Sequence, residues 1–180
     1  GIVLIPPGTA AENETTIQRV GVTARIVQFD RIEDGRINIL AAGEMRFRIL
    51  KFTAGEPYWS ATVEFFDDDS EVSAELQESY AELVRLYREA HRLAAQLRGV
   101  EVQEIKIPES PASLSFMVSY VLDIAPETKQ SFLEMTSTTE RLKILEVHLE
   151  ETVERLIAQI AQDKIRHKVR GNGHYTPGNN

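Results

Sequence analysis

The chain has 180 residues, of which 42% are hydrophobic and 27% charged, and a formal net charge of -8. This length suits one domain with a real core or two small subdomains that share an interface. No apolar run approaches the roughly 18 residues of a membrane-spanning helix. The absence of cysteine excludes disulfides, thiolate metal sites and a cysteine nucleophile. We therefore expect a cytoplasmic protein that has no membrane partner.

Short apolar runs alternate with turn signals up to about Phe66. Asp34-Gly35 predicts a hairpin with positive φ at both central turn positions, and Gly43 is expected to break the run that follows it. Several short strands joined by tight turns, with no helix between them, predict a small antiparallel barrel or sandwich. The strand-like stretches are Ile2–Ile5, Val20–Phe29, Ile37–Ala41, Met45–Ile49 and Tyr58–Phe66.

Helical spacing of apolar residues replaces this pattern in the second part of the chain. Asp67-Asp68-Asp69-Ser70 is expected to open a helix, because anions and small hydroxyls suit helix starts. The Ser137-Thr138-Thr139-Glu140 segment fits a capping box, which predicts the start of a long helix. The predicted helices run over about Ser73–Arg98 with Gly99 as the stop, Pro111–Leu122, Pro126–Leu133 and Thr138–Val169.

Seven segments carry a family resemblance. They are VGVTARI at 20–26, EDGR at 33–36, GEMRFRI at 43–49, PY at 57–58, Pro111–Leu122, KQSFLE at 129–134 and ERL at 140–142. In this order and spacing they resemble the Lon protease N-terminal (substrate-binding) domain family, and the resemblance covers most of the chain. The chain is similar to the free-standing bacterial members of that family.

The resemblance implies an α+β fold: a PUA-like antiparallel β-barrel followed by a helical bundle with a long C-terminal helix. We accordingly predict a β subdomain over residues 1–70, a helical subdomain over 71–170 and a flexible tail over 171–180. Family members normally begin with one or two further strands and a short helix. The barrel here therefore lacks its first strands, and we expect residues before Gly1 in the natural protein.

The resemblance also implies a role. In Lon, an ATP-dependent protease, the domain recognises damaged or unfolded substrates and helps the ring to assemble. The chain has no glycine-rich loop ending in Gly-Lys-Ser or Gly-Lys-Thr, and the ATPase and Ser-Lys protease domains of Lon are not in it. We therefore predict that it is not an enzyme and has no catalytic residue, cofactor or metal site.

Three polar clusters leave alternatives open. Asp163 and His167, one helical turn apart, fit a solvated pair better than a two-point metal clamp, since a metal site needs three or four ligands. The acidic run at 67–69 fits a helix start better than a calcium loop. The basic stretch Lys164–Arg170 suits the last turns of a helix, with contact to a phosphate or an acidic partner as the alternative.

The predicted strand at 45–49 carries residue types that occur on nucleic-acid-binding surfaces. Arg46 and Arg48 flank Phe47, and a basic, aromatic strand can bind RNA. Phe47, however, is in phase with Met45 and Ile49 on the expected core face, and the chain is acidic overall. Nucleic-acid binding is therefore disfavoured.

Apolar surface remains as the candidate for function. The candidate protein-binding residues are Tyr58 and Trp59, which follow a turn, and Leu149 and Leu156 on the long helix. Trp59 could equally cap the barrel core, and the helix leucines could equally serve their own bundle. The leading hypothesis is a module that binds unfolded or damaged proteins, with a protease or chaperone as a further partner. The alternatives are a homo-oligomeric assembly domain and, with less support, a PUA-like RNA-binding module.

Overall fold

The computed structural model describes residues 1–6, 16–54 and 58–171. The strands are β1 (Ile2–Val3), β2 (Val20–Arg31), β3 (Ile37–Ala54) and β4 (Ser60–Phe66), and the helices are α1 (Ala74–Arg98), α2 (Pro111–Val121), α3 (Pro126–Glu134) and α4 (Thr138–Gly171). The turns expected at 7–8 and 55–57 and the tail at 172–180 lie outside the described residues. The protein is thus of the α+β class, with four antiparallel strands and four helices in the described ranges.

The chain divides into two compact units. The strand unit comprises residues 1–70 together with 123–137, and the helix unit comprises residues 71–122 and the chain from Thr138 onward. Helix α3, which the sequence assigned to the helical half, therefore packs with the strands. The subdomain boundary at residue 70 stays a prediction. Residues 123–137 are an exception to it, because they pack with the strands.

The sheet is antiparallel with the strand order β1-β2-β3-β4. Strands β1 and β4 lie at opposite edges, so the sheet is open over the described residues. Its core consists of Ile17, Phe47, Ile49 and Phe52, against which Val3, Ala61 and Val63 pack. The closed barrel is not seen in this part of the chain.

The prediction that Gly43 breaks a strand is wrong. Strand β3 runs continuously through Gly43, which lies opposite Ala24 where the pairing register shifts. A Cβ atom at Gly43 would lie 3.2 Å from Cγ1 of Val22. The glycine permits a close approach at an irregular point of the ladder, as glycines inside strands often do.

The core-face position of Met45 is also wrong, although Phe47 and Ile49 are buried as expected. Strand β4 first pairs with β3 at Arg46. Before that point β3 has only β2 beside it among the described strands, and Met45 lies in this narrower part of the sheet, where it is exposed. Strand periodicity gives the face of a side chain but not whether another layer covers it.

The predicted hairpin at Asp34-Gly35 is confirmed with a different turn. Gly35 has a φ of 87°, and no non-glycine residue in the described ranges has a positive φ. Asp34 instead accepts hydrogen bonds from the backbone N–H and the Nε of Arg36, at 3.0 and 2.6 Å. One left-handed glycine after two ordinary turn residues is the pattern of a three-residue hairpin loop.

The sequence predicted the two ends of α1 and the start of α2 correctly. The Ser73 hydroxyl accepts from the N–H of Leu76, and Gly99 closes α1 in the left-handed conformation. Ser110 caps α2, with Pro111 at its first position. In the helix unit α1 packs on α4, and the buried leucines of this unit include Leu83, Leu86, Leu93, Leu114, Leu142, Leu145 and Leu149.

The acidic run at 67–69 does not start a helix, which corrects that prediction. Asp68 pairs with Arg46, while the carboxylate of Asp69 accepts from the Thr136 hydroxyl at 2.8 Å and its N–H donates to the Thr136 carbonyl at 2.9 Å. The acids hold the segment that contains α3 within the strand unit. Thr136 is far away in sequence, so no local pattern could reveal this contact.

Candidate protein-binding surface

Tyr58 and Trp59 lie beside the core of the strand unit. Tyr58 is 72% exposed and Trp59 is 36% exposed. The Trp59 ring packs edge-on against Phe52, with 5.1 Å between the ring centroids. Trp59 thus packs on a core residue while part of its ring stays at the surface. The sequence left core packing and surface exposure as alternatives for this residue, and the structure shows both.

The two helix candidates differ in exposure. Leu149 is 1% exposed and belongs to the interior of the helix unit, so its side chain supports the bundle. Leu156 is partly buried. Other apolar side chains on α4 are more accessible, although the sequence reasoning did not propose them as binding residues. They are Val147, Ile157 and Ile165.

An apolar cleft of about 460 Å³ lies in the strand unit, between the sheet and α3. It is lined mainly by small and aliphatic residues, with Gln130 as the polar member. The Gln130 amide donates to the carbonyl of Val20 at 3.0 Å and to the Glu134 carboxylate at 2.8 Å, which fixes α3 beside β2. The apolar lining consists of Ile2, Val3, Leu4, Val20, Gly21, Val22, Ala24, Ala41, Gly43 and Leu133.

A group of exposed apolar side chains in the described part of the chain was missed by the sequence reasoning. The paired segments 25–31 and 37–41 are exposed throughout, and they form a two-stranded ribbon that we call the arm. Ile26, Val27, Phe29, Ile37 and Ile39 of the arm are each between 51% and 60% exposed. The alternation of these residues did predict strands, but the sequence reasoning assigned them to the interior of a barrel.

Arg46 is buried and serves the structure of the strand unit. Its guanidinium pairs with Asp68, and the two side chains are 7% and 9% exposed. It also donates to the carbonyls of Leu133 and Met135, at 3.0 and 2.6 Å, and lies over the ring of Phe66. Arg46 is therefore not available for phosphate contacts, whereas Arg48 is exposed.

The described part of the chain holds neither a cluster of metal ligands nor a membrane-spanning helix. Among the described side chains, which lie in residues 1–6, 16–54 and 58–166, no three acidic or histidine groups gather as ligands. The His167 side chain, half of the pair with Asp163, lies outside the described part. No helix in the described ranges combines the length and apolar character that crossing a bilayer requires.

Most shifted pKa values belong to surface ion pairs. Hydrogen bonding from Arg36 lowers the pKa of Asp34, and hydrogen bonding from Arg85 lowers that of Glu82. The hydrogen bond from Lys143 to Glu75 raises the pKa of Lys143. These exposed pairs contribute little to stability.

Glu146 differs, because burial raises its pKa. One carboxylate oxygen, Oε1, is buried without a hydrogen-bond partner. Repulsion from Glu82 and Glu150 adds to the rise, while the Ser79 hydroxyl and Lys143 oppose it. Folding is therefore more favourable when Glu146 is protonated than when it is ionised.

We expect Glu146→Gln to stabilise the protein at neutral pH. The penalty of ionisation is absent below the ordinary pKa of a glutamate, develops as the pH rises to the raised value, and is complete above it. Urea unfolding at pH 7 should give a higher midpoint for the variant, and the two midpoints should converge near pH 3.5. Glu151→Gln, an exposed change on the same helix, is the control. An equal effect at both pH values would contradict this explanation.

Comparison with known proteins identifies the family. The family model of the ATP-dependent protease La (LON) substrate-binding domain matches residues 1–151. The chain belongs to this family. Among curated relatives, the Lon proteases of Methylocella silvestris and Dictyoglomus thermophilum are each 26% identical, over 147 and 155 residues. These matches cover 82% and 85% of the chain but only 18% and 19% of the relatives, so the chain spans about a fifth of their length.

Solved structures of the Lon family share the fold. The N-terminal domain of the Mycobacterium avium complex Lon protease superposes with a TM-score of 0.59 at 23% identity, covering 77% of this chain and 74% of that one. A Lon N-terminal domain protein from Xanthomonas campestris gives 0.51 at 18% identity, covering 74% and 69%. The α+β architecture of the Lon N-terminal domain is therefore present here.

Proposed function

We propose that this chain is a non-catalytic module that binds exposed hydrophobic segments of unfolded or damaged proteins, alone or for a protease or chaperone. The observation that carries the proposal is the match of residues 1–151 to a substrate-binding domain. The exposed apolar arm and the cleft beside α3 supply surface of the right chemistry. We place the protein in the cytoplasm, and we propose that its open sheet is part of a PUA-like barrel.

Binding to unfolded protein tests the proposal directly. Fluorescently labelled α-lactalbumin that has been reduced and carboxymethylated stays unfolded, and the native form of the same protein is the matched control. Fluorescence anisotropy should show saturable binding of the unfolded form and at least tenfold weaker binding of the native form. Equal binding of the two forms, or binding of neither, would exclude the proposal. The purified chain should also leave casein uncut and ATP unhydrolysed.

Self-association through α4 is the second candidate. It is favoured by the exposed apolar side chains of Val147, Ile157 and Ile165 on that helix, since an unpartnered apolar helix face can pair with another helix. Light scattering over a range of concentrations separates the two candidates. A protein that stays monomeric at every concentration would count against assembly, and the binding module would remain the proposed function.

A further inference from the structure

Residues 100–108 connect α1 to α2 within the helix unit and form neither helix nor strand. We call them the strap. The Val100 N–H donates to the Ala95 carbonyl at 3.1 Å, and the Pro108 carbonyl accepts from the Tyr80 hydroxyl at 2.9 Å. Ala95 and Tyr80 are about 22 Å apart along α1, and the strap reaches about 26 Å when it is extended. The strap therefore runs back along α1 as a nearly extended chain.

The main chain of the strap can pair with another strand. In the described ranges, no hydrogen bond involves the N–H or C=O groups of residues 101–107. An extended chain presents these groups at its two edges, where a second extended chain can match them. A helix cannot match them, because its own main-chain groups are already paired. The strap thus fits an extended segment as its partner.

The side chains of the strap follow a palindromic pattern of apolar and polar residues. The sequence from position 100 to position 107 is VEVQEIKI. Val100 and Val102 are 57% and 56% exposed, whereas Ile105 and Ile107 are half-buried. The order of apolar and polar positions is therefore the same in both directions along the strap.

This pattern makes the strap complementary to a second copy of itself in an antiparallel pair. When position 100 of one copy lies opposite position 107 of the other, every apolar residue meets an apolar residue and the lysine meets a glutamate. Apolar pairs and opposite charges directly across a ladder stabilise it, whereas like charges destabilise it. The opposed pairs, each of which occurs twice, are Val100 with Ile107, Glu101 with Lys106, Val102 with Ile105 and Gln103 with Glu104.

Neighbouring registers lose this match. A shift of one residue in one direction places Val100 opposite Lys106 and Val102 opposite Glu104. The opposite shift places Val102 opposite Lys106 and brings the two copies of Glu104 together. The charged side chains thus select one pairing, since register follows the pattern of apolar and polar residues.

The pairing also covers the exposed apolar side chains of the strap. Opposed residues of an antiparallel pair point to the same side, so Val102 of one copy lies beside Ile105 of the other. Val100 lies beside Ile107 in the same way. Because the isoleucines are only half-buried, part of each side chain is open to this contact. Each valine therefore gains an apolar neighbour that the single chain does not give it.

We propose that two copies of this chain form a dimer in which their straps pair as antiparallel strands, with position 100 of each copy opposite position 107 of the other. This surface differs from the exposed face of α4, and the dimer needs no bound client protein. Pairing over eight residues buries less than the roughly 1,200 Å² of the smaller stable interfaces. We therefore expect a reversible dimer with a Kd on the order of 10–100 µM.

Reversing one charge of the pair between Glu101 and Lys106 tests the register. Both side chains are exposed, and neither forms an ion pair in the described part of the chain, so the circular dichroism of the variants should match that of the wild type. Glu101→Lys alone brings lysines together at two points of the ladder, and Lys106→Glu alone brings glutamates together. Sedimentation velocity at low salt, where exposed charges are least screened, should show at least tenfold weaker dimers for each.

Restoring the opposite charges should restore the dimer. The double variant Glu101→Lys, Lys106→Glu exchanges the two charges and keeps the net charge of the wild type, so its Kd should lie within about threefold of the wild-type value. An equimolar mixture of the two single variants should also form dimers, because a mixed pair joins lysine to glutamate at both points. Ile157→Ser on α4 is the matched control and should change the Kd by less than about twofold.

The outcomes decide between the strap and other surfaces. A wild type that stays monomeric up to about 1 mM, far above the expected Kd, overturns the inference. Single variants that dimerise as well as the wild type also overturn it, and a loss of the dimer on Ile157→Ser would place the interface on α4. Weaker single variants without rescue in the double variant or in the mixture would exclude this register. Binding of carboxymethylated α-lactalbumin is a separate measurement, so the proposed function can stand or fail independently.

Discussion

Replacing Arg46 with alanine should destabilise the strand unit by about 3–5 kcal/mol, the usual cost of breaking a buried ion pair from one side. Asp68 would remain buried without the guanidinium, and the carbonyls of Leu133 and Met135 would each lose one donor. The chain has a single tryptophan, and it lies beside the core of this unit. Urea unfolding followed by Trp59 fluorescence therefore measures the loss.

Arg48→Ala is the matched control for that change. Both arginines lie over the ring of Phe66, but Arg48 is exposed, so its loss should cost less than about 1 kcal/mol. The double variant Arg46→Ala, Asp68→Ala should be more stable than the sum of the two single changes indicates. Equal effects of the Arg46 and Arg48 changes would refute a structural role for the buried pair.

Arg141→Ala should destabilise the helix unit by about 3–5 kcal/mol, as expected for removing a large buried side chain and its hydrogen bonds. The side chain is fully buried. Its Nε donates to the Ser115 hydroxyl at 2.8 Å, and its guanidinium lies 4.1 Å from the ring centroid of Phe116. The change therefore leaves a cavity between α4 and α2, and urea unfolding followed by circular dichroism at 222 nm should report it.

Lys143→Ala provides the comparison on the same helix. Lys143 forms an exposed ion pair with Glu75, and such pairs contribute little to stability. The two variants each remove one positive charge from α4, so a difference between them measures burial and not net charge. A midpoint for Arg141→Ala that matches that of Lys143→Ala would show that the buried arginine is dispensable.

Features set by neighbouring residues could be predicted from the sequence. Ser73 and Gly99 at the ends of α1, Pro111 at the start of α2 and the Asp34-Gly35 hairpin depend on φ preferences and on hydrogen bonds within a few residues. The family resemblance, carried by seven short segments, predicted the family that the comparison establishes. Each cap, turn and family segment can be recognised within a short stretch of the chain.

Features that depend on distant partners could not be predicted. The buried position of Arg46 could not be read from the sequence, because its partners lie more than 20 positions away at Asp68 and more than 85 away at Leu133. The acidic run at 67–69 was assigned to a helix start for the same reason. The exposure of the arm was missed because alternation predicts a strand with two faces and does not reveal whether either face is covered. Leu149 and Val147 similarly lie on one helix, and only packing decides which of them is buried.

The return of residues 123–137 to the strand unit has a consequence for synthesis on the ribosome. The contacts of Arg46 with Leu133 and Met135 and of Gln130 with Val20 need a segment that emerges after α1 and α2 have been made. Domains usually fold in the order of translation. Here, residues 1–70 cannot complete these contacts until about twice that length has been translated. The nascent strands therefore lack the contacts with Gln130, Leu133 and Met135 during that interval.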